Sequence, residues 1–412
     1  MPEPPLIRPF AGLRPAPGRA AEVIAPPYDV VDAEEARRLV AGRARSFLHI
    51  SRAEVDLPPG TDPYAPEVYA RARANLERMR ADDVLCRDDA PCYYAYRQEV
   101  AGRRQTGLVA GASVAAYVSG RIKKHELTRP AKEDDRVRQI AALDAQTGPV
   151  FLVNRADAAL RELLAAACDA AAPEVDVTAT DGVRHQLWVI ADTARVQALT
   201  ALGAKLPALY VADGHHRSAA AVRVAEARGD AASAAFLAVI FPHDELTILP
   251  YHRLVADLGG LDLDALLARA GERFAVTPSA APVQPAASTQ FGLYSDGRWW
   301  QLRLREQRLP ADDDPVAKLA VTLLHTHLIE PLLGITDPRR DPRIDFVGGS
   351  RGLAGLMAPV DAGRMALALA LPATGIDELL AVADAAAIMP PKSTWFEPKL
   401  ADGLVSLLLD PV

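Results

Sequence analysis

The clearest hydrophobic pattern in the chain is a short apolar run, then a tight turn, then an alanine-rich stretch of helical period. The run spans Leu209–Ala212, the turn is Asp213-Gly214, and a helix is predicted from about His216 to Arg228. Two imidazoles and a guanidinium stand at its first turn. The backbone N–H groups there lack intrahelical partners, and the helix macrodipole is positive at that end. The start of this helix, from Asp213 to Arg217, is therefore suited to bind a phosphate group, and we call it the phosphate seat.

The polar and apolar periodicity predicts further elements before and just after this one. Pro26-Pro27 fixes an extended entry, and Asp32 can cap a helix over Ala33–Val40. The other predictions are a strand at Phe47–Ile50, a helix at Asp62–Met79, a hairpin of Cys92–Val100 with Thr106–Tyr117, a strand at Gly148–Val153, a helix at Asp157–Cys168, an antiparallel pair at Val175–Thr180 and His185–Ile190, a helix at Asp192–Leu202, and strands at Phe236–Phe241 and Thr247–Val255.

From about Gly259 the pattern starts afresh and predicts a second lobe. Its predicted elements are a helix at Leu261–Phe274, a Pro/Ala/Ser-rich link at Pro278–Ser288, a hairpin of Phe291–Tyr294 with Arg298–Leu304, a helix at Pro315–Leu333, strands at Ile344–Val347 and Met365–Leu371, and a helix at Ile376–Ala386. No fixed repeat and no even βα alternation occurs, which disfavours doubly wound and TIM-barrel folds. The chain is predicted to be α+β with mixed or antiparallel sheets.

Composition narrows the class of protein. The 412 residues suggest two or more lobes, and 50% apolar content is ample for a core. A net charge of -7 disfavours nucleic-acid coating. Three cysteines without a CxxC favour a reducing compartment. Because the chain also has no signal peptide and no apolar run of spanning length, we expect a cytoplasmic protein without membrane association.

The chemistry of the DGHHR stretch fits phosphate binding. Gly214 lets the backbone approach a ligand, and Arg217 can contact phosphate oxygens in bidentate fashion. His215 and His216 can donate hydrogen bonds or transfer protons, while Asp213 is suited to Mg²⁺ or to orienting a histidine. Adjacent histidines on a helix point about 100° apart, which disfavours their sharing one zinc ion.

Three other stretches offer candidate chemistry beside a structural interpretation. In the charged run, His125-Glu126 offers a general base or a metal-binding carboxylate, and Lys132 and Arg136 offer cations for phosphate, although such a run is also typical of a solvated helix cap. Tyr28 and Asp29 could be presented at a cleft or simply form a rigid turn. Lys392-Ser393-Thr394 could close as a flap or be a structural tail. The chain has no Walker-A, GxGxxG, protein-kinase or GxSxG motif.

Several ordered motifs together resemble the DUF1015 family of uncharacterised bacterial and archaeal proteins, from about Ile7 to Lys399. They read IRPF, APPYDVV, KKHELT, KEDDR, TGPVF, ADGHHRSAAA, LPYHR and MPPKSTWFEPK. The DGHHR element also resembles the phosphate-binding strand–turn–helix of the ParB/sulfiredoxin superfamily. Its variant in the free serine kinases of that fold is similar, and those enzymes transfer phosphate from ADP or ATP to L-serine.

The resemblance implies roles for particular residues. Nucleotide phosphates would be held at Asp213, Gly214, His215, His216 and Arg217, with Ser218 at the helix start and Lys132 and Arg136 nearby. The implied acid–base candidates are Glu126, His125, Asp29 and His216, and the implied Mg²⁺ ligands are Asp213 and Asp135. The family motif is expected to read KEDR, whereas this chain reads KEDDR. The equivalence of Asp134 and Asp135 is therefore open.

These observations lead to a functional hypothesis with alternatives. We expect a nucleotide-dependent kinase that uses ATP or ADP with Mg²⁺ and a small-molecule acceptor such as free L-serine. The alternatives are a ParB-like nucleotide switch associated with DNA and a phosphate-ester or nucleotide hydrolase. The expected domains are a ParB/sulfiredoxin-like nucleotide-binding lobe with insertions at residues 1–257 and an α+β lobe at 258–412, whose tail at 389–399 is a candidate to return to the site. A homodimer is left open.

Overall fold

A computed structural model of the protein describes residues 5–310 and 313–410. The chain divides into two compact units, one made of Met1–Leu246 with Pro398–Val412 and the other of Thr247–Glu397. Both units combine helices with sheets, so the chain is a mixed α and β protein with several sheets, as the sequence predicts.

The strands are numbered in chain order over the described residues. They are β1 (Ile7–Arg8), β2 (Gly12–Pro15), β3 (Leu85–Arg87), β4 (Tyr93–Val100), β5 (Arg103–Ser113), β6 (Ile122–Lys123), β7 (Ala145–Gln146), β8 (Val150–Asn154), β9 (Val175–Thr178), β10 (Arg184–Ile190), β11 (Leu209–Asp213), β12 (Ala235–Pro242), β13 (Thr247–Leu249), β14 (Tyr251–Val255), β15 (Phe274–Ser279), β16 (Gln290–Ser295), β17 (Arg298–Leu304), β18 (Ile344–Gly348), β19 (Leu367–Ala370), β20 (Trp395–Glu397) and β21 (Ser406–Leu408).

The α-helices are numbered in the same way. They are α1 (Ala20–Val23), α2 (Ala33–Val40), α3 (Leu48–Ser51), α4 (Pro66–Ala81), α5 (Val114–Val118), α6 (Pro130–Leu143), α7 (Ala158–Ala170), α8 (Thr193–Lys205), α9 (His215–Arg228), α10 (Leu263–Ala270), α11 (Ala320–Leu324), α12 (Glu330–Leu333), α13 (Gly352–Asp361) and α14 (Ile376–Asp384). Aspartates cap several of them: Asp32, Asp157, Asp192 and Asp262 each accept a bond from the backbone N–H three residues on.

The first unit is built on a mixed sheet of nine strands within the described residues. Its order is β6-β11-β8-β12-β5-β4-β10-β9. The short strand β1 pairs with β5 at Gly111 and Ala112, beyond Val109, where the pairing of β4 with β5 ends. The pairs β6–β11 and β8–β12 are parallel and the remaining pairs are antiparallel. β12 is buried along its whole length, as expected of an apolar run at the centre of a sheet. The β4–β5 hairpin turns at Ala101-Gly102, where both residues have positive φ.

A smaller sheet in the first unit brings the chain's last described strand beside its first ones. Its order is β3-β2-β21-β7. Helices α2, α3 and α4 lie over a core that includes Phe47, Leu76 and Leu408. Residues beyond Pro398 are therefore part of the same unit as the predicted phosphate seat.

The second unit has an antiparallel sheet of its own. Within its described residues the order is β15-β17-β16-β19-β14-β18, and β13 pairs separately with β20. Its core on the side of α13 contains Leu254, Trp299 and Leu356. The predicted hairpin around Asp296-Gly297 is confirmed, with Ser295 opposite Arg298.

Two predictions in the first unit are wrong. The run Phe47–Ile50 is not a strand, because Leu48–Ser51 forms the helix α3. A run of four residues carries no period that separates strand from helix, and the packing of Phe47, Leu48 and Ile50 in the core decides. The strand predicted to Tyr117 ends at Ser113 instead. The Ser113 hydroxyl oxygen accepts a bond from Ala116 N at 3.1 Å and so starts α5.

Two predictions in the second unit also need correction. The strand predicted over Thr247–Val255 is divided at Pro250, which has no N–H for a ladder, into β13 and β14 of different sheets. The helix predicted over Pro315–Leu333 begins only at Ala320. It then widens into a π-helical turn at His325–Ile329, just before Pro331, where the missing N–H interrupts the regular ladder. Across the described residues, no helix combines the length and the apolar character that crossing a membrane would require.

Candidate functional site

The pairing of three strands places the candidate residues at one edge of the large sheet. β6 runs parallel to β11, so the ends of both strands lie at the same edge. β8 runs antiparallel to β11 and therefore begins at that edge. His125-Glu126 follows β6, Asp213 ends β11, and Pro149 precedes β8. Residues remote in sequence thus converge where α9 begins.

The turn between β11 and α9 requires glycine. Gly214 has φ of 96°, in the left-handed region, and a Cβ there would lie 3.3 Å from Val150 Cα. The first intrahelical bond of α9 runs from Ser218 N to Gly214 O at 3.0 Å. The N–H groups of residues 215–217 precede that ladder, which is the arrangement that binds anions at helix ends. The predicted strand, turn and helix are confirmed, with the helix starting one residue earlier.

Asp213 is held by one backbone donor and one lysine. Its Oδ1 accepts from Gly214 N at 2.8 Å, and its Oδ2 lies 3.2 Å from the Lys399 ammonium. Burial alone would raise the pKa of Asp213, but Lys399 and then Arg217 lower it below the ordinary value. The carboxylate is therefore ionised at neutral pH and balances the cation that the end of the chain supplies.

The two imidazoles at the start of α9 have different surroundings. His215 is buried, its ring meets that of His125 edge-on at 4.6 Å between centroids, and its Nδ1 lies 3.7 Å from Glu126 Oε2. Burial lowers the pKa of His125 to about 4 and that of His215 well below its usual value. His216 is only half-buried, and its Nε2 accepts a bond from Arg129 N at 3.0 Å.

Arg217 points into the unit rather than toward solvent. Its guanidinium bonds the Pro149 carbonyl and lies 3.1 Å from Asp29 Oδ2. Burial opposes the charge, yet Asp29 and then Asp213 hold the pKa of Arg217 above its ordinary value. Arg217 was predicted to bind phosphate directly, but its guanidinium is already paired with Asp29. This ion pair holds the Tyr28-Asp29 turn beside the start of α9.

Tyr28 connects this pair to α6. The Arg136 guanidinium stacks 3.8 Å from the centre of the Tyr28 ring and is bound to Asp135 at 2.6 Å. Asp135 also accepts from the Tyr69 hydroxyl at 2.8 Å. Arg136 and Asp135 therefore form an ion pair with each other. The contacts from Tyr69 through Asp135 and Arg136 hold the Tyr28 ring in position.

Asp402 is the residue of this region that sequence reasoning missed. It lines a cavity of about 20 Å³ with Tyr28, Arg136 and Arg217, room for about one water molecule. Burial raises its pKa to about 7, against the opposing effect of Arg217. In the sequence, Asp402 lies in an Ala-Asp-Gly stretch that indicates only a turn. No sequence motif therefore indicated that Asp402 lies near the phosphate seat.

The other predicted residues occupy separate positions. Lys132 donates to the Tyr64 hydroxyl at 2.7 Å. Ser218 is buried, and its hydroxyl donates to the His215 carbonyl at 3.1 Å, so it completes the first turn of α9. Lys392, Ser393 and Thr394 lie in the second unit, where the Ser393 hydroxyl donates to the Pro390 carbonyl at 2.6 Å.

The predicted magnesium ligands do not form a cluster. Among the described residues, the group of three side chains placed to share a metal ion is His125, Glu126 and His215, whose ligand atoms lie within 4.8 Å of one another. Asp213 is paired with Lys399 and Asp135 with Arg136. These two carboxylates therefore do not fit a protein-held Mg²⁺.

Comparison with known proteins assigns the chain to a family. The family model described as "Protein of unknown function (DUF1015)" matches residues 7–322, so the protein belongs to the DUF1015 family. No curated protein matches the chain.

Several solved structures are similar at low sequence identity. A conserved hypothetical protein from Pyrococcus furiosus has 11% identity and a TM-score of 0.35, covering 68% of this chain and 90% of its own. Free serine kinase in complex with AMP has 12% identity and a TM-score of 0.34, covering 67% and 83%. C-terminally truncated SbnI from Staphylococcus aureus has 11% identity and a TM-score of 0.39, covering 73% and 87%. Structural similarity at these TM-scores does not support a conclusion about function.

Proposed function

We propose that the protein is a nucleotide-dependent kinase that transfers a phosphoryl group from ATP or ADP to a hydroxyl of a small molecule such as free L-serine. The observation that carries the proposal is the start of α9. A glycine in the left-handed region begins a fourteen-residue helix whose first N–H groups lack intrahelical partners, and the half-exposed Glu126 carboxylate lies beside His215.

The proposed seat binds phosphate through backbone N–H groups of residues 215–217. Cations surround it: Lys124 and Arg129 act electrostatically on His215 and His216, and Lys399 pairs with Asp213. Phosphoryl transfer depends mainly on positioning and on neutralising phosphate charge, so this arrangement suits it. His216 stands at the same turn and is placed to donate a further bond to phosphate.

We assign the general base to Glu126. Its side chain is 47% exposed and lies at the rim of the seat, where an acceptor hydroxyl could reach it. Asp29, the other carboxylate candidate, is paired with Arg217 and is better placed to position the loop that carries Tyr28. His125, the preceding residue, is buried, and no proton transfer is assigned to it. Mg²⁺ is expected to arrive with the nucleotide, and no step is assigned to a protein-held Mg²⁺.

The test is a product assay with purified full-length protein. ADP or ATP, Mg²⁺ and a panel of hydroxyl acceptors that includes L-serine are incubated with the protein, and phosphorylated product is followed by ³¹P NMR. ADP and ATP are tested separately as phosphate donors. Glu126→Gln should abolish product while preserving nucleotide binding, and Gly214→Ala should weaken nucleotide binding.

Arg223→Gln is the matched control, since Arg223 lies on α9 but pairs with Glu133 and Asp134 away from the seat. It should behave as the unchanged protein in both measurements. If no donor yields product and Gly214→Ala binds nucleotide as well as the unchanged protein, the proposal is wrong. Steady phosphate release without an acceptor would instead identify a hydrolase, and nucleotide-stimulated, salt-dependent DNA retention would identify a switch.

A further inference from the structure

Two buried imidazoles and one carboxylate converge at the edge of the sheet from different parts of the chain. His125 and Glu126 follow β6, whereas His215 begins α9. Their ligand atoms lie within 4.8 Å of one another, and His215 Nδ1 is 3.7 Å from Glu126 Oε2. The parallel pairing of β6 with β11 produces this convergence, so it follows from the fold itself.

The hydrogen bonding of the two rings leaves nitrogens unsatisfied. His125 Nδ1 and His215 Nε2 have no hydrogen-bond partner, and water cannot supply one, because each residue is at most 4% exposed. The other nitrogen of His125 is bonded to the Val211 backbone. Metal-binding histidines commonly use one nitrogen for the ion while the other donates to a backbone carbonyl, which orients the ring. A buried polar atom without a partner is costly, and a cation bound at His125 Nδ1 would remove that cost there. At His215 the nitrogen that faces Glu126 is Nδ1.

We propose that His125, Glu126 and His215 form a binding site for a divalent cation of the zinc class, such as Zn²⁺ or Co²⁺. Two imidazoles and one carboxylate make up a three-ligand set with an open fourth position. Magnesium is excluded from this role because it takes oxygen ligands. Bonds of about 2.1 Å place tetrahedral ligand atoms roughly 3.4 Å apart, so a small inward rotation of the exposed Glu126 side chain and the rings completes the site.

The arrangement of the two rings supports the same set of ligands. The His125 and His215 rings meet edge-on, with 4.6 Å between their centroids. His216 is not part of the site, because its Nε2 already accepts from Arg129 N. The site therefore pairs His215 with a histidine ninety residues earlier in the chain rather than with its neighbour.

This binding does not depend on the proposed phosphoryl transfer, although it involves the same Glu126. Since that carboxylate would be engaged by the ion, bound Zn²⁺ is expected to inhibit the kinase reaction. Metal binding and nucleotide binding can be tested separately. Glu126→Gln is expected to lower metal affinity but to leave nucleotide binding unchanged.

The experiment uses tag-free, full-length protein stripped with chelator. Titration with Co²⁺ should produce the visible d–d bands of a tetrahedral complex, and Zn²⁺ should displace it at one ion per chain. Glu126→Gln and His215→Ala should each lower Zn²⁺ affinity by about tenfold or more. Glu126→Gln changes a half-exposed side chain, so the test remains valid if the buried histidine variant fails to fold. His216→Gln is the matched control and should bind as the unchanged protein does.

Two results would overturn the proposal. The first is no stoichiometric Zn²⁺ binding by the unchanged protein. The second is equal Zn²⁺ affinity in the unchanged protein and Glu126→Gln, with the visible spectrum of bound Co²⁺ unaltered. Loss of metal binding in Glu126→Gln with normal binding in His216→Gln supports it. That result stands even where no phosphorylated product forms, so failure of the kinase proposal remains distinguishable.

Discussion

Replacing Asp402 with asparagine isolates the energetic cost of the carboxyl group beside Arg217. The side chain is buried, and its pKa is raised from 3.8 to about 7. Because one pKa unit corresponds to ~1.4 kcal/mol, keeping this carboxylate ionised in the folded protein costs roughly 4 kcal/mol. Asparagine has nearly the same shape and carries no charge, so Asp402→Asn should remove that cost.

The pH dependence follows from the direction of the shift. The folded protein holds the Asp402 proton more tightly than the unfolded chain does. The resulting stabilisation is complete below about pH 4 and is lost as the pH rises to about 7. Asp402→Asn should therefore be more stable than the unchanged protein at pH 8, and the difference should vanish toward pH 4.

Calorimetry of the full-length protein between pH 4 and pH 8 measures this difference in stability. The matched control is Asp230→Asn. Hydrogen bonds from Ser233 and then from Arg228 lower the pKa of Asp230 to about 2, so its stabilisation is present above pH 4 and lost as the pH falls. That variant should be the less stable one at pH 8. A constant offset across the pH range for Asp402→Asn, or a loss of stability at pH 8, would refute the reasoning.

Three further substitutions test the contacts around the seat. Gly214→Ala forces a side chain into the left-handed region, which costs roughly 1–2 kcal/mol, and titration calorimetry should show about tenfold weaker ADP binding; unchanged affinity would contradict the seat. Lys399→Met leaves the Asp213 carboxylate without its cation, so thermal unfolding at pH 7 should show a loss of roughly 1–2 kcal/mol, and that loss should shrink as the pH falls through the range where Asp213 is protonated. Tyr28→Leu should destabilise the first unit by about 1 kcal/mol relative to Tyr28→Phe, which keeps the ring under Arg136; equal melting temperatures would show that the stacking contributes nothing.

The seat itself could be predicted from sequence because all its information is local. An apolar run, a turn dipeptide and a helical period are adjacent in the chain, and each specifies its own backbone conformation. Gly214 in particular indicates a left-handed position, because glycine adopts that conformation without the steric cost that other residues meet. The charged run at His125 could be selected for its chemistry in the same way, as could the Tyr28-Asp29 turn.

The particular contacts of the seat could not be predicted, because the pairing of distant strands determines them. The sequence offered the tail at 389–399 as a candidate to return to the site, but not the pairing of Lys399 with Asp213, 186 residues away, or of Arg217 with Asp29, 188 residues away. The residue type suggested that Arg217 would bind phosphate, but it cannot show that the Asp29 carboxylate already pairs with that guanidinium. The mistaken strand at Phe47–Ile50 has the same origin, since core packing outweighs the local preference of a short apolar run.

A crystal structure of the protein with ADP and Mg²⁺ tests the central claim most directly. The phosphates should lie within about 3 Å of the backbone N–H groups of His215, His216 and Arg217, with the terminal phosphate facing Glu126. Phosphates seated elsewhere in the protein, with the start of α9 occupied only by solvent, would contradict the account.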